Sequence, residues 1–463
     1  MKTITTLLPA DLETPVGIYL KIRDIYPQSA LLESSDYHTT HNSVSIIGID
    51  PIAHYMVLDE EIEQTWPDGH TTHTKATPDL IISSLRDYVA GFSELAVEGL
   101  ANGLLGYTAY DAMRYFEPTL TVCHPAPEFS HIPDILYILY RFIIQVNHFR
   151  NEMTIIENIP DGEKPETKRL ISILKNNNMP LYGFYPDSEV TSTLTDNSFM
   201  EIVEKCVAHC KRGDIFQIVP SRRFSQSFKG DDFNVYRALR SINPSPYLFY
   251  FDFSSFRVFG SSPETHLRIK NGKAYIDPIA GTFRRTGDDT RDRELAEALL
   301  HDDKENAEHI MLVDLARNDL SRSGGSISIE FMRQIQFYSH VIHMVSRVRA
   351  DLPDNTDIFA LFASAFPAGT LSGAPKVRAM QIIDRLEPHS RKIYGGCIGY
   401  LGFDGSINQA ITIRTFLSTG LRLYSQAGAG IVAHSSPAAE LQETNNKLDA
   451  LRSAVQMATR FNP

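Results

Sequence analysis

The chain has 463 residues, 43% of them hydrophobic and 22% charged, an ordinary globular composition with enough apolar residues for a sizeable core. Its formal net charge of −12 argues against nucleic acid as a partner, because a phosphate backbone is met by clustered Lys and Arg. No stretch approaches the ~18 apolar residues of a membrane span, and the opening "MKTITTLLPADLETP" is too short and polar for a secretory signal.

Four cysteines, Cys123, Cys206, Cys210 and Cys397, form no CxxC pair, so free thiols in a soluble, cytoplasmic protein are expected and a zinc site is not. Residues 1–150 mix strand-like runs such as "SVSIIGI" and "YILYRFIIQV" with turns. Two polar, turn-rich stretches, 159–168 and 186–198, mark a boundary, which divides the chain into an N-terminal domain over 1–185 and a second domain over 196–463. "SFMEIVEKCVAHCKRGD" has helical spacing and stops at Gly213. Strand-like runs then follow one another ("IFQIVPSRRFS", "YLFYFDF", "FRVFGSS") without regular βαβ alternation. The fold class expected is α+β, with large, mostly antiparallel sheets packed with helices.

"DDKENAEHIMLVDLARND" reads as a helix in which Glu305 and Glu308 share a face with Leu312 and Leu315. "HVIHMVSRV" reads as a strand with His343 on the face of Val341 and Val345, where a histidine is more often a satisfied core residue than a catalyst. "PAGTLSGAPK" has the wrong spacing for a phosphate-binding loop. "NQAITIRTF" reads as a continuous strand, with Thr412 and Arg414 alternating against Ile411 and Ile413. "QAGAGIVAHSSP" matches G-x-G-x-x-A, but its helix begins too late, at Ser436, for a dinucleotide site. In that helix Glu440, Glu443 and Lys447 fall within a ~60° arc beside the stripe of Leu441, Leu448, Leu451 and Val455. Taken one helix at a time, such glutamate pairs are ordinary surface features. Taken together, hard oxygen donors on two helices suit Mg²⁺, which accepts one or two carboxylates plus substrate and water.

The ordered set "GDIFQIVPSRRF", "GSSPET", "PIAGT", "EHIMLVDLARNDL", "HMVSRV", "FPAGTLSGAPK", "YGGCIGY", "ITIRT", "AGAGIV" and "SSPAAELQETNNK" resembles the chorismate-utilising enzymes from about residue 196 to 453. The resemblance implies that family's fold and its chemistry on chorismate. Glu308 and Glu443 would hold Mg²⁺, with Glu305 and Glu440 supporting through water. Tyr394 and Arg414 would hold the enolpyruvyl carboxylate. Gly281, Thr282 and the backbone of Gly428, Ala429 and Gly430 would line the ring-carboxylate side, with Lys447 adding positive charge. Glu264 would be the general acid for the departing 4-hydroxyl, His343 would assist pyruvate loss, and Thr370 is placed with them as a catalytic residue.

The resemblance also separates the family's branches. The isochorismate and salicylate branch typically has Lys at the position of Gln217. The aminodeoxychorismate branch typically reads PIKGT, with a Lys where this chain has Ala280. With neither lysine, direct attack by ammonia remains, the pattern of the anthranilate-forming branch. Aminodeoxychorismate formation and a non-catalytic tryptophan-binding regulator are the alternatives. "LLESSD" and "NPSPYLFYF" resemble the family's tryptophan feedback pocket, in which Ser34 would meet the ligand's amino acid end and Pro246, Tyr247 and Leu248 its indole side. Leu248 replaces the usual Met, and "YHTTHNSVS" departs from the family pattern. No glutaminase nucleophile turn is present, so ammonia would come from a separate glutamine amidotransferase subunit.

Overall fold

A computed structural model describes residues 1–34, 44–122, 124–338 and 341–463, without the side chains of Thr282 and Lys304. Twenty-two of the described strands form one hydrogen-bonded network, in which every pairing is antiparallel. Gln217–Ile218 and Gly373–Ala374 form a separate short ribbon. The expected α+β class with antiparallel sheet is therefore what the chain adopts.

The strand Ile135–Asn147 shows why the core is layered. It reads ILYILYRFIIQVN and is buried on both faces. Ile135, Tyr137 and Leu139 enter one apolar core, whereas Leu136, Ile138 and Tyr140 enter another. A strand covered on both sides loses the polar–apolar alternation of a half-exposed one.

Pairing crosses the stretch 186–196. Ser29–Glu33 lies between Val44–Leu58 and Tyr247–Asp252, and Gly103–Thr108 pairs with Cys397–Gly402. The core follows the same path: Tyr55, Leu104 and Tyr137 pack in one cluster with Leu267, Phe362 and Leu401.

Three helices carry expected site residues or caps. Asp196–Arg212 begins at Thr195, whose hydroxyl accepts from the Ser198 amide at 3.1 Å, and ends at Gly213 in the left-handed region. Asp303–Ser321 is capped by Asp302, which accepts from the Glu305 amide at 3.0 Å. Pro437–Ala458 starts after Ser436, as its Pro at the first turn predicts, although the Ser436 side chain makes no capping bond. Its buried stripe is Leu448, Leu451 and Val455, with Glu440 and Thr444 enclosed beside it.

One expected element breaks. "NQAITIRTF" is two strands, Ile407–Ile411 and Thr415–Thr419. The first pairs with Cys397–Gly402 and Thr265–Lys270, the second with Phe256–Ser262 and Arg422–Gly428. Between them the chain changes partners, and Arg414 takes φ +49, a conformation that costs a non-glycine residue of order 1 kcal/mol. The Ser261 amide donates to the Arg414 carbonyl at 3.1 Å and holds this corner. Cys206, Cys210 and Cys397 are free thiols, and Cys123 lies outside the described residues.

Candidate active site

Glu264 occupies the short link between strands Phe256–Ser262 and Thr265–Lys270. Its carbonyl accepts from the Ile411 amide at 3.0 Å, and its amide donates to the Ser262 hydroxyl at 3.4 Å. Burial pushes its carboxyl up to about 7; the Thr370 hydroxyl, Lys447 and Arg414 pull in the other direction without cancelling that cost. Thr370 Oγ1 is itself buried without a hydrogen bond of normal geometry, although it lies close enough to be felt by the carboxyl. Burial lowers the Arg414 guanidinium pKa, and Glu264 offsets part of that loss. A guanidinium remains a cation under any such shift, so the corner presents a fixed positive charge beside a carboxyl that holds its proton near neutrality.

His343 sits across from this pair on the strand Val341–Asp351 and is 2% exposed. The neighbouring strand, Ile279–Arg284, bulges between Ala280 and Thr282. Gly281 makes the bulge possible at φ +66, and a Cβ there would fall 2.4 Å from Leu299 Cδ1 and 3.2 Å from Glu305 Oε2. His343 Nδ1 faces the Gly281 carbonyl at 3.2 Å, which favours the tautomer with the proton on Nδ1. Burial, then the Arg414 charge, lowers the imidazole to about 4. At neutral pH it is an uncharged ring suited to accept a proton at Nε2. Thr282 pairs with His343 along the strand, and its side chain is outside the description.

The glycine segment at 428–430 closes the other side. Lys447 Nζ donates to the Gly428 carbonyl at 3.0 Å and pairs with Glu443 Oε1 at 2.7 Å. A Cβ on Gly428 would lie 2.5 Å from the Pro220 carbonyl and 3.2 Å from the Tyr394 hydroxyl. A Cβ on Gly430 would lie 2.7 Å from Gln217 Nε2, which places Gln217 directly behind this segment. Ala429 between them is fully buried. Burial raises the Tyr394 phenol, so it stays a hydrogen-bond donor.

The structure thus brings Glu264, Thr370, Arg414, Lys447, Tyr394 and Gly428 to one place, with His343 adjoining through Arg414, Gly281 beside His343 and Glu305 beside Gly281. Glu308 is half-buried on the helix of Glu305, and Glu440 is 8% exposed one turn before Glu443. Among the described residues no group of three or more His, Cys, Asp or Glu is gathered as a metal cage. The donors present are carboxylates, two per helix, with Glu305 Oε2 against the Gly281 backbone. Carboxylate oxygens are the hard donor type that Mg²⁺ accepts beside waters and substrate oxygens.

One cluster was missed in the sequence. Arg391 is enclosed and donates to the Glu387 carboxylate at 2.5 and 2.9 Å, to the Leu371 carbonyl at 2.7 Å and to the Val219 carbonyl at 2.6 Å. Glu387 Oε1 also accepts from the Ser221 amide and hydroxyl, each at 2.8 Å. The pair ties Val219 and the start of the strand Ser221–Gly230 to the short helix Gly369–Ser372, and the Arg391 guanidinium lies 5.5 Å from the Tyr394 ring centroid. The signal was an i, i+4 Glu–Arg spacing immediately before Tyr394, a pattern that surface helices share.

Ser34, Pro246, Tyr247 and Leu248 all line one cavity of about 870 Å³. The two segments are adjacent strands, with Leu248 opposite Glu33. The residues of "LLESSD" after Ser34, and the following "YHTTHN", lie outside the described residues. This cavity touches Pro263 and Thr265 on either side of Glu264, and does not include Glu264 or Arg414.

A family model described as chorismate binding enzyme matches residues 29–453. Anthranilate synthase component 1 of Aquifex aeolicus is 37% identical over 98% of this chain and 94% of its own length. That of Thermus thermophilus is 37% identical over 97% and 96%. The crystal structure of anthranilate synthase component I from Streptococcus pneumoniae superposes with a TM-score of 0.74 at 30% identity, covering 88% of this chain and 92% of that one. The menaquinone-specific isochorismate synthase of Escherichia coli shares the fold, with a TM-score of 0.73 at 20% identity over 98% and 94%. Among the described residues no helix is long and apolar enough to cross a membrane. With the expected motifs assembled around one acid, one arginine and one neutral histidine, the chain belongs to the chorismate-binding enzymes and acts on chorismate.

Proposed function

We propose that this chain is the synthase subunit of an anthranilate-forming enzyme, which aminates chorismate with ammonia and eliminates pyruvate. The observation that carries this reading is the pair Ala280 and Gln217: neither position bears an amine, so neither a covalent adduct nor an activated water is offered, and ammonia is left as the nucleophile. Likeness to proteins named anthranilate synthase component 1 supports it.

Arg414 and Tyr394 hold the enolpyruvyl carboxylate, the first by charge and the second as a protonated phenol. Lys447 and the backbone of Gly428 to Gly430 line the side of the ring carboxylate. Ammonia forms a bond to ring carbon 2 as the ring double bonds shift, and the 4-hydroxyl leaves as water with the proton of Glu264. The new ammonium group gives up one proton to water, His343 then takes the proton from carbon 2, the bond from the ring to the enolpyruvyl oxygen breaks, and the released enolpyruvate takes a proton at its methylene carbon to become pyruvate as the ring becomes aromatic. Glu308 and Glu443 would hold Mg²⁺, with Glu305 and Glu440 supporting through water, and the ion would supply positive charge against the ring carboxylate when bound. Ammonia comes from a separate glutaminase subunit, and tryptophan binds in the cavity at Ser34, Pro246, Tyr247 and Leu248.

The test mixes the purified chain with chorismate, Mg²⁺ and concentrated ammonium at mildly alkaline pH and follows anthranilate fluorescence with and without tryptophan. Mg²⁺-dependent anthranilate, suppressed by tryptophan, is expected. Aminodeoxychorismate as the product would assign the chain to the other amination branch, and tryptophan binding without turnover would make it a sensor.

Two variants refine the result. Glu443→Gln should lose Mg²⁺-dependent chorismate binding in calorimetry along with turnover; native binding in saturating Mg²⁺ would remove Glu443 from the metal site. Ser34→Arg should place a long cation in the cavity and abolish tryptophan suppression with turnover close to native. Full suppression in that variant would put the effector elsewhere.

A further inference from the structure

The cavity and the acid share a backbone segment. The strand Tyr247–Asp252 pairs with Phe256–Ser262, placing Tyr247 opposite Ser262, two residues before Glu264. On its other edge the same strand pairs with Ser29–Glu33, which leads to Ser34. The Tyr247 hydroxyl meets the Thr265 hydroxyl at 2.8 Å, and Thr265 is buried. Pro263, Thr265 and Tyr247 all face the cavity. Successive side chains of an extended segment leave opposite faces, so Thr265 points into the cavity while Glu264 points to Thr370, Lys447 and Arg414. The Glu264 main chain is fixed by the Ile411 amide and the Ser262 hydroxyl. The bond from Tyr247 is the tether that comes from the cavity side.

We propose that the Tyr247–Thr265 hydrogen bond positions Glu264, and that an occupant of the cavity acts on catalysis by disturbing this bond. The proposal rests on the functional reading above and adds to it a route: strand Ser29–Glu33, strand Tyr247–Asp252, Thr265, Glu264. Tyr247 and Thr265 are positioning residues and touch no reacting atom. Burial pushes the Tyr247 phenol up to about 12, so it remains neutral over the working range of pH.

The test uses Thr265→Val, which keeps the side-chain shape and removes the hydroxyl, with Thr265→Ser as the conservative variant and Tyr247→Phe as a second way to break the bond. Thr265→Val should lower kcat by roughly tenfold or more, the scale expected for a misplaced catalytic group. Chorismate KM should hold, and the high-pH limb of kcat should move. Tryptophan should still bind, measured by calorimetry, yet suppress turnover far less than in the native chain. Thr265→Ser should restore both the limb and the suppression, and Tyr247→Phe should displace the limb as Thr265→Val does. A native pH profile with full suppression in Thr265→Val would overturn the proposal. So would equal losses in Thr265→Val and Thr265→Ser, or loss of tryptophan binding itself in Thr265→Val. A native chain that forms no anthranilate is a different failure, that of the functional reading.

Discussion

Glu264→Gln lowers kcat by roughly 10²–10⁴-fold, the range set by loss of a positioned general acid. Hydroxide departs poorly unless it is protonated as it goes, and Glu264 is the carboxyl whose surroundings raise its pKa to about 7 beside Arg414 and Thr370. In the free enzyme it carries the proton below that value and gives it up above. Turnover that depends on the acid therefore falls as pH rises through this range, and a dianionic substrate alongside moves the limb to higher pH.

Stability follows with a defined sign. The carboxyl's ordinary value is 4.5, so the folded chain holds a proton that the unfolded chain releases between 4.5 and about 7. The stabilisation is present below 4.5 and is lost as pH rises through about 7. Gln cannot ionise, so the variant should gain about 2 kcal/mol on the native chain between pH 5 and pH 8 in urea unfolding. Native turnover in the variant, or parallel pH–stability curves, would remove Glu264 from the role.

Arg391→Met should cost about 3–5 kcal/mol, the price of leaving one member of a buried ion pair alone. Glu387 would keep its charge among the Ser221 amide, the Ser221 hydroxyl and apolar neighbours, and the Leu371 and Val219 carbonyls would each lose a donor. The double variant Glu387→Met/Arg391→Met should be less destabilised than the single one, because it removes the stranded charge as well. Urea midpoints at neutral pH decide this. A single variant within 1 kcal/mol of the native chain would show the pair to be ornamental.

Local signals in the sequence located the helices well. Gly213 ends one of them and Pro437 opens another, because helix ends are decided by neighbouring residues. The motif residues around Glu264, Arg414 and Gly428 were legible as a group through the family resemblance, and they do converge. What the sequence hid is what distant partners decide. Arg414 sits on a corner rather than in a strand because two flanking strands belong to different pairings, and no alternation of Ile and Thr announces that. Glu387 and Arg391 look like a surface pair until Val219, Ser221 and Leu371 close over them. The value at Glu264 comes from enclosure, which a motif does not encode.

The interleaving of Ser29–Glu33 between Val44–Leu58 and Tyr247–Asp252 bears on how such a chain can change over time. The segments that line the cavity are also staves of the wall that supports the acid. An ancestor could not delete its leading segment, nor exchange it by gene fusion, without tearing the wall. Change in what the cavity accepts is left to single substitutions along its lining, and descendants should differ there while keeping the whole length of the chain.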